Sequence, residues 1–265
     1  MIPRLLILVT VLSALSAPAL AVTEVRSIST RPGVTLDFLF MTPEQGQLRD
    51  ALIMFPGGNG AVPFRITSSG TAHGWSFLVR SAEAFTQRGL AIATINPPSD
   101  RPNGMSAGFR ESPEHAEDIA KLAAYLRAQG FERIYLVGNS RGTLSAAYLA
   151  TKIKDAHIRG VVLTSSLEYD GFMRWLPLKQ LLHPVLMVHH RDDACRVSSF
   201  PEAEKTRKNL LGHTTVDFVE INGGAAARSE PCNDLSAHGF FGMEDKVVQI
   251  IADWVGGRKV PDRIE

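Results

Sequence analysis

The sequence has few cysteines, almost no net charge and, after residue 21, no long hydrophobic run. Its 265 residues include only Cys195 and Cys232, and neither belongs to a C-x-x-C motif, which argues against a zinc site or a redox dithiol. Lysine and arginine together number 28 against 27 acidic residues. Without a basic cluster, the chain gives no reason to expect nucleic acid as a partner. No segment after residue 21 is long and apolar enough to predict a membrane helix.

The N-terminal segment is the exception to this lack of apolar runs. Arg4 precedes the run 5–12, and Ala19-Leu20-Ala21 has the small-x-small pattern of a cleavage site. We predict that residues 1–21 are a signal peptide, with a retained N-terminal anchor as the alternative. The protein would then be periplasmic or secreted, with no membrane partner after cleavage.

Strand-like and helix-like segments alternate through residues 22–265, which predicts a single α/β domain with a mostly parallel sheet and helices on both faces. The composition, 45% hydrophobic and 21% charged, is that of an ordinary globular domain. The strand-like segments are 34–40, 51–55, 90–95, 134–137, 160–164, 184–190 and 215–221. The helix-like segments are 76–88, 113–129, 143–152, 201–211 and 244–255.

The pentapeptide Gly138-Asn139-Ser140-Arg141-Gly142 lies between an apolar strand-like run and a helix-like run rich in alanine and leucine. A serine with glycine at both second neighbours, at a strand-to-helix turn, is the pattern of a nucleophile elbow. We therefore predict that Ser140 is a nucleophile. A glycine-rich turn that holds an uninvolved serine is the alternative interpretation.

A serine nucleophile needs a histidine base and an acid that orients the base. Asp192 and Asp193 follow the predicted strand 184–190, and Asp193 lies at the loop offset expected for the acid, with Asp192 as the alternative. His238 is the only one of eight histidines that follows the last predicted strand. The resulting order along the chain, serine then acid then histidine, agrees with this assignment.

The two cysteines lie close in sequence to the predicted acid and base. Cys195 comes two residues after Asp193, and Cys232 comes six before His238. Because the cysteines of exported proteins tend to pair, we predict a disulfide between Cys195 and Cys232, with two free buried thiols as the alternative. This disulfide would connect the loop of the predicted acid (the acid loop) to the loop of the predicted base (the base loop). The histidines of strand 184–190 would chelate poorly, since adjacent strand residues point to opposite faces, so we predict no metal and no cofactor.

Backbone N–H groups that stabilise an oxyanion are expected in two places. One is Arg141, the residue after the nucleophile. The other is the PGGNG turn at 56–60, where Gly58 and Asn59 are alternative donors and a merely flexible loop is the other interpretation. A phosphate-binding loop is disfavoured, because no helix with lysine and serine or threonine follows the glycines.

Together these motifs resemble those of the α/β-hydrolase superfamily over essentially all of the chain after residue 21. The matching motifs are PGGNG at 56–60, GNSRG at 138–142, HHRDD at 189–193 and AHGF at 237–240. The last motif is similar to the histidine region of the dienelactone hydrolase-like and small bacterial esterase groups. Dienelactone hydrolases have a cysteine nucleophile where this chain has Ser140, and His190 stands where the acid motif usually has glycine.

The resemblance implies an α/β-hydrolase fold with a doubly wound sheet of about eight strands, and hydrolysis of carboxylic esters through Ser140, Asp193 and His238. Peptidases, amidases, acyltransferases and non-catalytic binding proteins share this fold. About twenty residues separate the predicted strands 160–164 and 184–190, which indicates a short flap rather than a large lid. The apolar residues of this flap are Phe172, Met173, Trp175 and Leu176. They would fit a substrate with a small or medium acyl group, or they could be ordinary core residues.

Three arginines, Arg101, Arg110 and Arg174, lie in predicted loops near the expected site. They could bind an anionic substrate, or they could be solvated, as most loop arginines are. The partner that the sequence predicts is a small-molecule ester, with neither nucleic acid nor a cofactor involved.

Overall fold

The computed structural model describes residues 22–44, 49–62, 65–66, 72–167 and 176–265. The predicted signal peptide lies outside these residues, and so do Phe172, Met173, Arg174 and Trp175 of the predicted flap. Leu176, the last flap residue, is described and is buried in the hydrophobic core, in agreement with the packing alternative. Across the described ranges, no helix has the length and apolar character needed to cross a membrane.

Among the described residues, nine strands form one sheet and two short strands form a separate hairpin. The hairpin strands are β4 and β5. In chain order the strands are β1 (Thr23–Arg31), β2 (Val34–Met41), β3 (Asp50–Phe55), β4 (Arg65–Ile66), β5 (Ala72–His73), β6 (Ala91–Ile95), β7 (Arg133–Asn139), β8 (Ile158–Thr164), β9 (Val185–His190), β10 (Val216–Ile221) and β11 (Arg263–Ile264).

The spatial order of the large sheet is β1-β2-β6-β3-β7-β8-β9-β10-β11. Two pairs, β1 with β2 and β2 with β6, are antiparallel, and the other neighbouring pairs are parallel. The mostly parallel sheet is therefore confirmed, with nine strands where about eight were expected. The sequence pattern missed the two edge strands, because β1 is largely polar and β11 has only two residues.

The helices are α1 (Phe77–Arg80), α2 (Ala82–Gln87), α3 (Ala107–Arg110), α4 (Pro113–Ala128), α5 (Gly142–Lys152), α6 (Phe200–Leu211) and α7 (Glu244–Val255). The predicted helix 76–88 is two helices, because the backbone leaves helical geometry at Ser81. The start of α4 is as predicted, since the Ser112 side chain accepts from the His115 N–H and Pro113 occupies the first turn. Helix α3 was not predicted.

The sheet has a hydrophobic core on each face, because successive strand residues point in opposite directions. In β3, Ile53 belongs to one core together with residues of α4, α5 and α6, whereas Leu52 and Met54 belong to the other with residues of α1, α2 and α7. Helices on both faces leave the carboxyl ends of the parallel strands as the edge where loops can converge into a site.

The start of α5 is packed directly against the end of β3. A Cβ at Gly142 would lie 1.9 Å from the Phe55 carbonyl oxygen, so any larger residue must push the helix off the sheet. We expect Gly142→Ala to lower the free energy of unfolding by about 3 kcal/mol or more, as measured by urea denaturation. Gly108→Ala in α3 is the matched control, because its Cβ would enter open space. Equal stability of the two variants would contradict this close packing.

Candidate active site

Ser140 lies at the turn between β7 and α5, with its backbone in the left-handed region at φ 52°. Its N–H donates to the Thr164 carbonyl at 2.9 Å, and its own carbonyl accepts from the Thr143 N–H at 2.9 Å. A non-glycine residue persists in this region only where the surrounding structure holds it there. The turn therefore has the geometry expected of a nucleophile elbow, and the Ser140 side chain lines a cavity.

His238 and Asp193 form a buried hydrogen-bonded pair. The His238 Nδ1 lies 2.8 Å from the Asp193 Oδ2, and both side chains are almost fully buried. Because a carboxylate only accepts, Nδ1 carries the proton and Nε2 of the neutral ring is left as an acceptor. The Nε2 has no hydrogen-bond partner among the described residues, and His238 lines the same cavity as Ser140. A buried acceptor of this kind is suited to receive a proton from a hydroxyl in the cavity.

The structure brings Asp193, and not Asp192, to the histidine. Asp192 is exposed, and its backbone N–H donates to the His190 Nδ1 at 3.0 Å. The His190 Nε2 in turn donates to the Gly223 carbonyl at 2.9 Å. His190 is thus a structural link between the acid loop and the loop after β10.

The carboxylate of Asp193 is stabilised by two donors besides His238. The Cys195 N–H donates to Oδ1 at 2.9 Å and the Ser198 hydroxyl donates to Oδ2 at 3.1 Å. His189 is also near, with its Nε2 3.7 Å from the Asp193 Oδ2, but this nitrogen donates to the Ser198 carbonyl at 3.0 Å. Burial lowers the pKa of His189 to about 4, so His189 is neutral at pH 7 and does not compete with His238 for the negative charge.

Two serines that the sequence analysis did not identify hold His238 in place. The Ser236 hydroxyl accepts from the His238 N–H at 3.2 Å, and the Ser165 hydroxyl donates to the His238 carbonyl at 2.7 Å. Among the described residues, the non-glycine residues with positive φ are Ser140, Ser165 and Phe240. Ser165 contacts His238, and Phe240 is a core residue two positions after His238. The position of Ser165 directly after β8 was the signal available in the sequence.

The turn after β3 supplies backbone donors beside Ser140. In the described part of the chain, the N–H groups of Gly57, Gly58, Asn59 and Arg141 donate to no other group. Gly57, which the sequence analysis did not single out, approaches Ser140 most closely, since a Cβ there would lie 3.0 Å from the Ser140 Cβ and 3.5 Å from its Oγ. Successive unpaired N–H groups in a turn attract an anion.

Ser140, His238 and the turn line one cavity of about 230 Å³. Trp75, which is 73% exposed, lines it as well, together with residues 232–234 of the loop that carries His238. None of the described lining residues is lysine or arginine. The cavity therefore offers acceptors, among them the carboxylate of Asp234, together with a hydroxyl and neutral donors, and no lysine or arginine among its described lining residues.

Two of the three arginines, Arg101 and Arg110, do not line this cavity. Arg110 is the last residue of α3, not a loop residue, and it is entirely buried, so the expectation of a substrate-binding or solvated loop arginine is wrong at this position. Arg101 pairs with Asp100 and lies over the Phe109 ring. Arg174 lies outside the described residues.

Cys195 and Cys232 are joined by a disulfide that connects the acid loop to the base loop. Cys232 lines the cavity, and Cys195 is buried next to Asp193. The ligand atoms of Asp193, Cys195 and His238 lie close enough together to suggest a metal site. Because the sulfur of Cys195 is bonded to Cys232, it offers no thiolate, and the three residues do not form a plausible metal site.

Neither a protein-family model nor a curated protein sequence matches this chain. It is similar to the solved structure of an α/β serine hydrolase homologue from Coxiella burnetii, with a TM-score of 0.60 and 18% identity over 86% of this chain and 95% of that chain. A puromycin-hydrolyzing peptidase from Mycobacterium tuberculosis has a TM-score of 0.61 and 14% identity over 92% of this chain. For an acylaminoacyl peptidase from Pyrococcus horikoshii the TM-score is 0.60, with 12% identity over 90% of this chain.

The match covers 41% and 42% of those two peptidase chains, so this chain spans less than half of their length. At these identities the likeness establishes the fold. The chain has the α/β-hydrolase fold, as the resemblance implied.

The disulfide closes a loop between residues 37 positions apart, which in the chain-entropy model stabilises the folded state by about 4 kcal/mol. We expect the double variant Cys195→Ser with Cys232→Ser to lose about this amount in urea denaturation. Reducing agent should destabilise the wild-type protein similarly and leave the double variant unchanged. A wild-type protein with the same stability when oxidised and reduced would contradict this role of the disulfide.

Proposed function

We propose that the protein is an exported serine hydrolase that cleaves carboxylic esters of small or medium acyl groups. The observation that carries the proposal is the buried Asp193–His238 pair, whose unpartnered Nε2 lines one cavity with Ser140 and the unpaired N–H groups of the turn after β3. A base, a hydroxyl and oxyanion donors are the parts that acyl transfer to serine requires.

In the proposed mechanism, His238 takes the proton of Ser140 as the hydroxyl oxygen attacks the ester carbonyl. The N–H group of Arg141 and one from Gly58 or Asn59 stabilise the tetrahedral oxyanion. Asp193 orients the ring and stabilises the imidazolium that forms. The alcohol leaves with the proton held by His238, and an acyl-enzyme remains. His238 then deprotonates water, which attacks the acyl carbonyl and releases the acid.

The size and lining of the cavity favour a small acyl group that carries no carboxylate. Its volume of about 230 Å³ is below the roughly 300–1,000 Å³ typical of pockets for drug-sized ligands. With no lysine or arginine among the described lining residues, nothing there would neutralise a substrate carboxylate. The exposed ring of Trp75 offers an apolar surface at the cavity for the acyl or alcohol group.

Export to the periplasm or the medium is part of this proposal. It is supported by the signal-peptide pattern of residues 1–21 and by the pairing of both cysteines in a disulfide. Disulfides form and persist in oxidising compartments.

A peptidase or amidase that uses the same residues is the second candidate. Two of the similar structures are those of peptidases, and amide hydrolysis would need no additional group for attack by Ser140. The difference lies in the leaving group, since an amine must be protonated as it departs, whereas a phenolate leaves unaided. Comparing an ester with an amide of the same acyl group therefore separates the two candidates.

The first test uses the purified, oxidised protein with a fluorophosphonate probe, p-nitrophenyl acetate and butyrate, and the matched acetyl p-nitroanilide. We expect the wild-type protein to be labelled and to cleave the esters far faster than the anilide. Ser140→Ala should abolish labelling and lower ester turnover by about 10⁴-fold or more. Ser27→Ala, an exposed serine on β1, is the control that should behave as wild type.

Labelling that persists in Ser140→Ala would place the nucleophile elsewhere. Preferential cleavage of the anilide would favour the peptidase candidate. Absence of both labelling and turnover in the folded, oxidised wild-type protein would refute the proposed function.

The second test compares the two neighbouring aspartates. Asp193→Asn should lower kcat for the ester by about 10⁴-fold, because an amide at this position favours the wrong tautomer of His238. Asp192→Asn should leave kcat within about twofold of wild type, because Asp192 is exposed and does not contact the histidine. Both variants should be checked for folding by thermal denaturation. The reverse ranking would assign the acid role to Asp192.

A further inference from the structure

Arg110 carries a buried positive charge that no acid neutralises. Its side chain is the largest that is fully buried in the described part of the chain, and it takes part in none of the ion pairs formed there. Burial lowers the pKa of Arg110 to about 9, so the guanidinium remains charged at pH 7. An unpaired buried charge is costly, so its hydrogen bonds must be favourable enough to retain it.

The hydrogen bonds of Arg110 go to two carbonyl groups of the turn beside Ser140. Its Nη2 donates to the Pro56 carbonyl at 3.0 Å and to the Gly58 carbonyl at 3.4 Å. No peptide bond in the described chain is cis, so each C=O points opposite to the N–H of the same peptide group. The N–H groups of Gly57 and Asn59 therefore point away from the guanidinium.

The other carbonyl groups of the turn are also occupied. The Gly57 carbonyl accepts from the Gly60 N–H at 2.9 Å, and the Asn59 carbonyl accepts from the Met105 N–H at 2.7 Å. By contrast, the N–H groups of Gly57, Gly58 and Asn59 have no acceptor among the described residues. The turn thus has satisfied acceptors and unsatisfied donors, which is the polarity that an oxyanion requires.

Arg110 also contacts the helix that follows the nucleophile. Its Nη1 donates to the Ser145 hydroxyl on α5 at 3.0 Å, and this hydroxyl also lies 3.1 Å from the His115 Nε2. Burial lowers the pKa of His115 to about 3, so His115 adds no second positive charge at pH 7. One planar guanidinium therefore connects the turn after β3 to the helix that begins at Gly142, the two elements that supply the oxyanion donors.

We propose that Arg110 is a positioning residue that holds the turn 56–60 by its carbonyl groups and directs the N–H groups of that turn at the oxyanion formed on Ser140. Arg110 does not line the cavity, so it acts through the turn and not on the substrate. A charged donor on each carbonyl also polarises the peptide groups and strengthens their N–H groups as donors. The expected effect of Arg110 on kcat rests on the proposed esterase function. The expected effect of Arg110 on the conformation of the turn does not.

The test compares Arg110→Met, which removes all donors, with Arg110→Lys, which keeps the charge but not the planar fork. Arg31→Met is the matched control, because Arg31 is a mostly buried arginine that pairs with Asp118 and Asp100 away from the cavity. Each variant is measured for kcat and KM with p-nitrophenyl acetate, for its active fraction by fluorophosphonate titration, and for amide hydrogen exchange of the turn.

For Arg110→Met we expect kcat per active molecule to fall by about 10²-fold, the scale of losing one oxyanion donor, with KM within about threefold of wild type. Hydrogen exchange of the Gly60 and Met105 N–H groups, which donate to carbonyl groups of the turn, should become at least about tenfold faster. Arg110→Lys should recover part of both losses, since an ammonium can reach one carbonyl but not both carbonyls and Ser145 together. Arg31→Met should lower thermal stability while leaving kcat and the exchange of the turn unchanged.

A merely structural role predicts a different pattern. In that case Arg110→Met, like Arg31→Met, would lower only the active fraction or the melting temperature. Its kcat per active molecule would equal that of wild type, and this result would overturn the proposal. If Arg110→Met does not fold, Arg110→Lys decides, and wild-type kcat and exchange in that variant overturn the proposal. If the wild-type protein cleaves no ester, the proposed function fails, whatever the role of Arg110. The positioning role is then tested by hydrogen exchange alone, and it is refuted if Arg110→Met leaves the exchange of the turn unchanged.

Discussion

The contact between the start of α5 and the end of β3 determines where the other parts of the site must lie. Strands β3 and β7 are neighbours, and Phe55 pairs with Gly138 at their carboxyl ends. Because Gly142 leaves no room between helix and strand, the turn after β3 lies directly against the elbow that presents Ser140. Ser140 and the N–H groups of the turn, the proposed nucleophile and oxyanion donors, are therefore positioned by the sheet itself. Asp193 and His238, the proposed acid and base, come from loops after β9 and β10 and have to be brought to this point.

The site contains two buried charges that do not neutralise each other. Asp193 accepts from His238, Cys195 and Ser198, and Arg110 donates to carbonyl and hydroxyl oxygens. Pairing the two would satisfy both, but it would remove the carboxylate from the histidine and the guanidinium from the turn. Keeping them apart leaves negative charge where the proposed mechanism forms an imidazolium, and positive charge behind the proposed donors of the oxyanion. This arrangement is costly for stability and favourable for acyl transfer.

The elbow geometry at Ser140 and the pairing of Asp193 with His238 agree with the sequence analysis, because the three residues each follow a strand and occur in a characteristic order. Their catalytic roles stay a prediction. Arg110 was misassigned because its role depends on contacts with residues far away in sequence, and nothing in its local pattern distinguishes it from a solvated arginine. Ser165 was missed although it directly follows β8, because its contact with the His238 carbonyl joins residues 73 positions apart. The edge strand β1 was missed because polar edge strands lack the apolar run that identifies buried strands.

His238, the proposed base, is the part of the site that regular structure supports least. His238 lies on a long loop between β10 and α7, held by a short 3₁₀ turn, so its position depends on bonds from other elements. The Ser165 hydroxyl holds its carbonyl, Arg80 donates to the carbonyls of Asp234 and Gly239, and the disulfide fixes the loop covalently. Hydrogen bonds of this kind each contribute about 1 kcal/mol, whereas the disulfide contributes several. A loop held mainly by a disulfide suits an oxidising compartment, which is the environment that the proposed export would provide.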